Sequence, residues 1–158
     1  MTEYADVCIY GDSIMKGAVP VENSRYKFTI GGYLESLWEA FSLKILNRSH
    51  FGAPITKGSV VLDRDISRGL NCKYALIEFG GKDCNYNWAE ISENPQGEHM
   101  PKTPLKTFIE TMGSMADRLI SAGVTPILMT LPPIDAEKYL DFICSSGNNK
   151  NNILSWLG

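Results

Sequence analysis

Apolar residues along this chain fall into short continuous runs that alternate with stretches of helical spacing. The run Asp6 to Tyr10, with Val7-Cys8-Ile9-Tyr10 at its heart, predicts a first strand. Gly31 to Phe41 carries Leu34, Leu37, Trp38 and Phe41 at i, i+3, i+4 and i+7, the spacing of an amphipathic helix. Leu43 to Leu46 predicts a second short strand, ending in the turn-like Asn47-Arg48-Ser49-His50-Phe51-Gly52. A weaker helical pattern runs from about Thr56 to Ile66, and Tyr74 to Phe79 predicts a third strand broken by Gly80-Gly81. Phe108, Met112, Met115, Leu119 and Ile120 mark a long helix that Gly123 stops. Pro126 to Thr130 predicts a fourth strand, closed by Pro132-Pro133. Strands alternating with helices imply right-handed crossovers and a parallel sheet covered on both faces. No internal repeat and no linker interrupts the pattern.

Composition narrows the classes. A chain of 158 residues is read as one domain, 1–158, large enough to bury a substantial core. An apolar content of 44% against 21% charged residues excludes wholesale disorder. The net charge of −3 gives no basic footprint, so no nucleic-acid partner is expected. No apolar run reaches the roughly 20 residues of a spanning helix, and Met1-Thr2-Glu3-Tyr4 does not open as a leader. Cys8, Cys72, Cys84 and Cys144 lie far apart with no Cys-x-x-Cys spacing. Reduced thiols in a cytoplasmic protein are therefore expected, with no metal and no cofactor; a leader trimmed from the sequence would leave secretion open.

The candidate chemistry sits where strands end. Asp6 to Tyr10 runs straight into Gly11-Asp12-Ser13, and strand, glycine break, hydroxyl is how an α/β protein sets a nucleophile or an anion site at a sheet edge. Gly11-Asp12-Ser13, Asn47 to Gly52 and Gly80-Gly81-Lys82-Asp83 all follow strands. In a parallel sheet such loops emerge at one edge, where a serine faces amide and side-chain donors as in a nucleophile with its oxyanion hole.

These blocks, in this order and spacing, resemble the GDSL (SGNH) hydrolases: Gly11-Asp12-Ser13-Ile14, then Gly52, then Gly80-Gly81-Lys82-Asp83. The following Cys84-Asn85-Tyr86-Asn87-Trp88 and Leu131-Pro132-Pro133 suit the same family, which comprises esterases, acylhydrolases and carbohydrate deacetylases. The resemblance implies a three-layer, flavodoxin-like parallel sheet, here of order 2-1-3-4 without the family's fifth strand. It implies Ser13 as nucleophile and the amides of Ser13 and Gly52 as oxyanion donors. The substrate is then a small ester or an acylated carbohydrate, hydrolysed through an acyl-enzyme on Ser13.

Two departures stand out. The family's third block reads Gly-x-Asn-Asp, its asparagine giving the third oxyanion hydrogen bond; here that position is Lys82. An ammonium stabilises an oxyanion electrostatically, but its long stem does not fix a donor as an asparagine amide does. The family's Asp-x-x-His block near the carboxyl terminus has no counterpart, since the only histidines are His50 and His99. The chain is accordingly expected to be a C-terminally incomplete and nearly inactive hydrolase, with the fourth strand left as an edge open to self-association.

Each residue also has a plainer reading. Ser13 caps the following segment in that case, His50 and His99 are surface residues, and Asp12 and Asp83 serve turn geometry as readily as they support chemistry. Tyr86 and Trp88 line a pocket or simply pack, and Glu93 to Pro104, rich in proline and charge, is a candidate lid. Two rival functions remain: a flavodoxin-like module holding phosphate or flavin in its first loop, and a catalytically dead remnant that binds a glycan or a protein partner. The first is disfavoured because Gly11 to Gly17 offers a single hydroxyl residue.

Overall fold

The computed structural model describes residues 4–21, 25–28, 36 and 39–158. In chain order its strands are β1 (Ala5–Gly11), β2 (Ala18–Val21), β3 (Arg25–Phe28), β4 (Ile45–Asn47), β5 (Cys72–Glu78) and β6 (Thr125–Leu128). The helices are α1 (Ile55–Ser67), α2 (Trp88–Glu93), α3 (Leu105–Ser121), α4 (Ala136–Cys144) and α5 (Lys150–Leu157). Four strands form a parallel sheet of order β4-β1-β5-β6, the expected 2-1-3-4 once only the sheet strands are counted. The antiparallel hairpin β2–β3, not anticipated from the sequence, lies between the first two. Most of the expected helix over Gly31 to Phe41 lies outside the described residues; Ser36 and 39–41 within it are helical.

The centre of the sheet is dry. β1 and β5 pair over their whole length, from Ala5 opposite Cys72 to Gly11 opposite Glu78. Cys8, Tyr10, Ala75 and Ile77 join Ile55, Val61 and Leu62 of α1 and Met115 and Leu119 of α3 in one core. Strands buried on both sides need no polar alternation, which is why β5 reads as the nearly unbroken Ala75-Leu76-Ile77. A second cluster gathers Ile91, Ile143 and Ile153, from α2, α4 and α5, beneath Tyr86, Trp88, Tyr139 and Trp156. The apolar run at Ile153 to Leu157 thus belongs to a packed helix.

β6 pairs with β5 and, among the described residues, with no other strand. Its Ile127 and Leu128 are exposed at 41% and 54%, whereas Ile77, opposite Leu128 on β5, is buried. Among the described residues no helix is long and apolar enough to cross a membrane.

Candidate functional site

Three turns follow the carboxyl ends of β1, β4 and β5. β1 ends at Gly11, where a Cβ would fall 2.7 Å from the Cβ of Met15 and 3.0 Å from the carbonyl oxygen of Glu78. Only glycine lets the chain fold back this tightly. The turn that follows closes on itself: Ile14 N donates to Asp12 Oδ1 at 2.8 Å, Lys16 N to Asp12 O at 3.0 Å, and Ala18 N to Ser13 O at 2.9 Å. Ser13 is half-buried at the head of this turn, and its N–H meets no acceptor among the described residues.

The β4 loop lies along the same edge. Asn47 Nδ2 donates to Met15 O at 2.7 Å, and Asn47 Oδ1 accepts from Ser49 N at 2.9 Å. His50 N donates to Gly11 O at 3.1 Å, which places this loop beside the residue that introduces Asp12-Ser13. Gly52 adopts φ +64°, a left-handed turn closed to most side chains. Among the described residues its N–H is also free of an intramolecular acceptor. Ser13, Asp12, Gly52 and His50 are therefore brought to one edge by backbone bonds between the two loops.

Lys82 and Asp83 take a different course. The Asp83 carboxylate is buried and accepts from Ile55 N at 2.9 and 3.2 Å and from the Thr103 hydroxyl at 2.6 Å. Because Pro54 offers α1 no side-chain cap, Asp83 supplies that cap from across the sheet edge. The side chain of Lys82 lines a cavity of about 370 Å³ with Asn85, Tyr86, Asn87, Met100 and Lys102; neither Ser13 nor Gly52 is among its walls. The segment read as a lid forms part of these walls and is tied down, with Lys102 N on Asn85 O at 2.8 Å and Thr103 N on Asp83 O at 3.0 Å.

One residue at this edge escaped the sequence reading. Glu78, the last residue of β5, is 1% exposed, and its buried carboxyl faces Asp12. Burial and then the adjacent Asp12 carboxylate push its pKa up to about 7. Burial likewise raises the Asp12 pKa, against the opposing pull of the Ile14 N–H. A carboxyl held near neutrality beside a second buried carboxyl is stable only when one of them keeps a proton. The available signal was a lone charge ending an apolar strand opposite Gly11.

The two histidines are in unlike settings. His50 is held below its ordinary pKa by burial and by Lys57, Lys16 and Arg64, which favours the neutral imidazole. His99 hydrogen-bonds Asn94 O through Nε2 at 2.8 Å and stands edge-on to Trp156 at 5.9 Å, in the aromatic cluster.

No family model matches the chain, and no curated protein matches it in sequence. Solved structures do match its fold. It aligns over 95% of its length, at TM-score 0.57 and 16% identity, with a lipase/acylhydrolase from Enterococcus faecalis, covering 66% of that chain. A psychrotrophic esterase from Pseudoalteromonas, solved with monoethylphosphonate as inhibitor, aligns over 89% at TM-score 0.54 and 18% identity, with 68% of its own chain covered. This is the fold of the GDSL hydrolases. A GDSL-like lipase from Bacteroides thetaiotaomicron adds a third match over 89% of this chain and 60% of its own, at TM-score 0.54 and 13% identity. This chain spans about two thirds or less of the length of these three. In a GDSL-type fold the carboxyl edge that carries Ser13, Gly52 and Lys82 is the edge where ligands of open parallel sheets bind.

Proposed function

We propose that this chain is a serine ester hydrolase domain of the lipase, acylhydrolase or carbohydrate-deacetylase type, with Ser13 as the nucleophile. The observation that carries the reading is the pair of free amides, Ser13 N–H and Gly52 N–H, on two loops stitched together at the end of β1. In the proposed reaction Ser13 Oγ attacks the ester carbonyl and its proton passes to a base. The oxyanion faces the two amides, and the base returns the proton to the departing alcohol. Lys82 stands at the family's asparagine position in sequence, while its side chain lines a cavity apart from Ser13 and Gly52. Water then attacks the acyl-enzyme and releases the acid. The chain contains no Asp-x-x-His, so turnover is proposed to be low, resting on binding and the oxyanion donors. Of its two histidines, His50 is the one bonded to the Ser13 edge and is the base to test if turnover proves high.

A phosphate- or flavin-binding first loop finds less support, because the amides of Ile14, Lys16, Gly17 and Ala18 are turned onto oxygens of the loop itself. The four free cysteines fit the proposed cytoplasmic setting. The exposed edge of β6 supports the proposed self-association, which sedimentation across concentrations and with Leu128→Lys would read as a loss of the associated species. The function itself is tested with p-nitrophenyl esters of rising acyl length. Turnover above that of Ser13→Ala is expected, and equal rates for the two proteins would overturn the assignment.

A further inference from the structure

Two cavities open on either side of Tyr86, and their chemistry differs. The first, of about 450 Å³, is walled by Phe79, Tyr86, Leu105, Phe108, Met112 and Leu131, with little polar surface. The second, of about 370 Å³, shares Tyr86 but presents Lys82, Lys102, Asn85 and Asn87. Both volumes are in the range of small-molecule sites, roughly 300–1,000 Å³.

The positive charge of the second cavity has no internal counterpart. Lys106, Lys138 and Lys150 each lie within 4 Å of a carboxylate. Neither the Lys82 nor the Lys102 ammonium has an ion pair or hydrogen bond among the described residues. Asn85 adds a donor to this wall. Its Oδ1 is taken up by Tyr86 N, Trp88 Nε1 and Tyr139 O–H, which fixes the amide and leaves Nδ2 without an acceptor among the described residues. Two unpaired ammonium groups and a fixed amide donor in a concave wall form an anion-binding surface, on a chain whose net charge is −3. Beside it lies an apolar cavity of matching size.

We infer that Tyr86 divides a two-part site for an anionic amphiphile, with an apolar chain in the first cavity and a phosphate or carboxylate head between Lys82 and Lys102. The inference does not depend on ester hydrolysis, since neither Ser13 nor Gly52 is among the walls of the two cavities. Each methylene buried in the first cavity is expected to tighten binding about fourfold. The anionic head should add about tenfold or more at low salt, an increment that salt screens away.

The test is binding of decyl phosphate, decanol and inorganic phosphate to the whole chain, each below its aggregation threshold. Tryptophan emission is the readout, since Trp88 and Trp156 stand 5.9 and 4.8 Å from Tyr86. Decyl phosphate should bind about tenfold tighter than decanol. The double variant Lys82→Gln, Lys102→Gln should erase that advantage and leave decanol binding unchanged. Leu131→Asp, at an exposed wall position, should weaken both alkyl ligands. Ser13→Ala should bind all three as the natural chain does, so loss of hydrolysis alone leaves this inference standing. Equal affinity for decyl phosphate and decanol, or a double variant that binds like the natural chain, would overturn it. Inorganic phosphate binding as tightly as decyl phosphate would remove the apolar half and overturn it as well.

Discussion

The turns after β1 and β5 meet at one sheet edge and are built by opposite means. The turn after β1 is local, with Asp12, Ser13 and Ile14 accepting from amides two to five residues away. The turn after β5 is held from a distance, by Asp83 on Ile55 and Thr103 and by Asn85 on Tyr139, 28, 20 and 54 residues apart. This turn is closed mainly by its own residues, with Asn47 Nδ2 on Met15 O and His50 N on Gly11 O as its ties to the β4 loop. A turn anchored at long range couples the Lys82 side of the site to the stability of the whole fold.

That contrast is broken first at its strongest bond. Asp83→Ala strands the Ile55 N–H and the Thr103 hydroxyl, both buried, and should destabilise the protein by about 4 kcal/mol. Asp12→Ala removes one acceptor in a half-buried turn and should fall short of about 2 kcal/mol. Urea unfolding of the two variants measures both, and equal losses would erase the distinction.

A pH titration sharpens the comparison at the point where the two turns touch. Glu78 holds its proton up to about pH 7 in the fold and releases it near its ordinary 4.5 when unfolded. Between those values the folded state binds the extra proton, so stability falls as pH rises and levels off above the folded pKa. The decline amounts to about 3 kcal/mol at most. Glu78→Gln should flatten it and be the more stable form at about pH 8. A variant that declines in parallel with the natural chain would place the titration elsewhere.

The last effect is read in turnover and concerns Lys82 itself. Lys82→Asn restores an amide at the family's donor position and should raise the turnover of a small neutral ester, by about a hundredfold at most. The gain should appear in kcat and not in KM, because the donor acts as charge develops. An unchanged or lower kcat would make Lys82 the working residue of a variant site.

What the sequence made legible follows the same division between local and distant. β1, β5, α1 and α3 were readable because burial on a sheet or helix face writes itself into spacing, and glycines mark their ends. The second strand was begun two residues early and ended one residue early, since polar Asn47 still pairs with Ile9 in β4. The fourth was drawn too long; regular structure ends at Leu128, although Met129 N still bonds Ile77 O at 3.0 Å. The β2–β3 hairpin was missed because Pro20 argues against a strand and is tolerated only in a peripheral ribbon. α2 and α4 are too short to show a period. In the site, the Ser13 and Gly52 turns were legible from their own residues. The tasks of Asp83 and Glu78 were not, because their partners Ile55 and Asp12 are distant in sequence.

A covalent probe reads whether this fold presents Ser13 as a reactive hydroxyl. Folded protein is incubated with a fluorophosphonate and the adduct is located by peptide mass spectrometry. Slow modification is expected at Ser13 and none in Ser13→Ala. Modification of another residue that persists in Ser13→Ala, or a folded protein whose Ser13 stays unmodified, would contradict it.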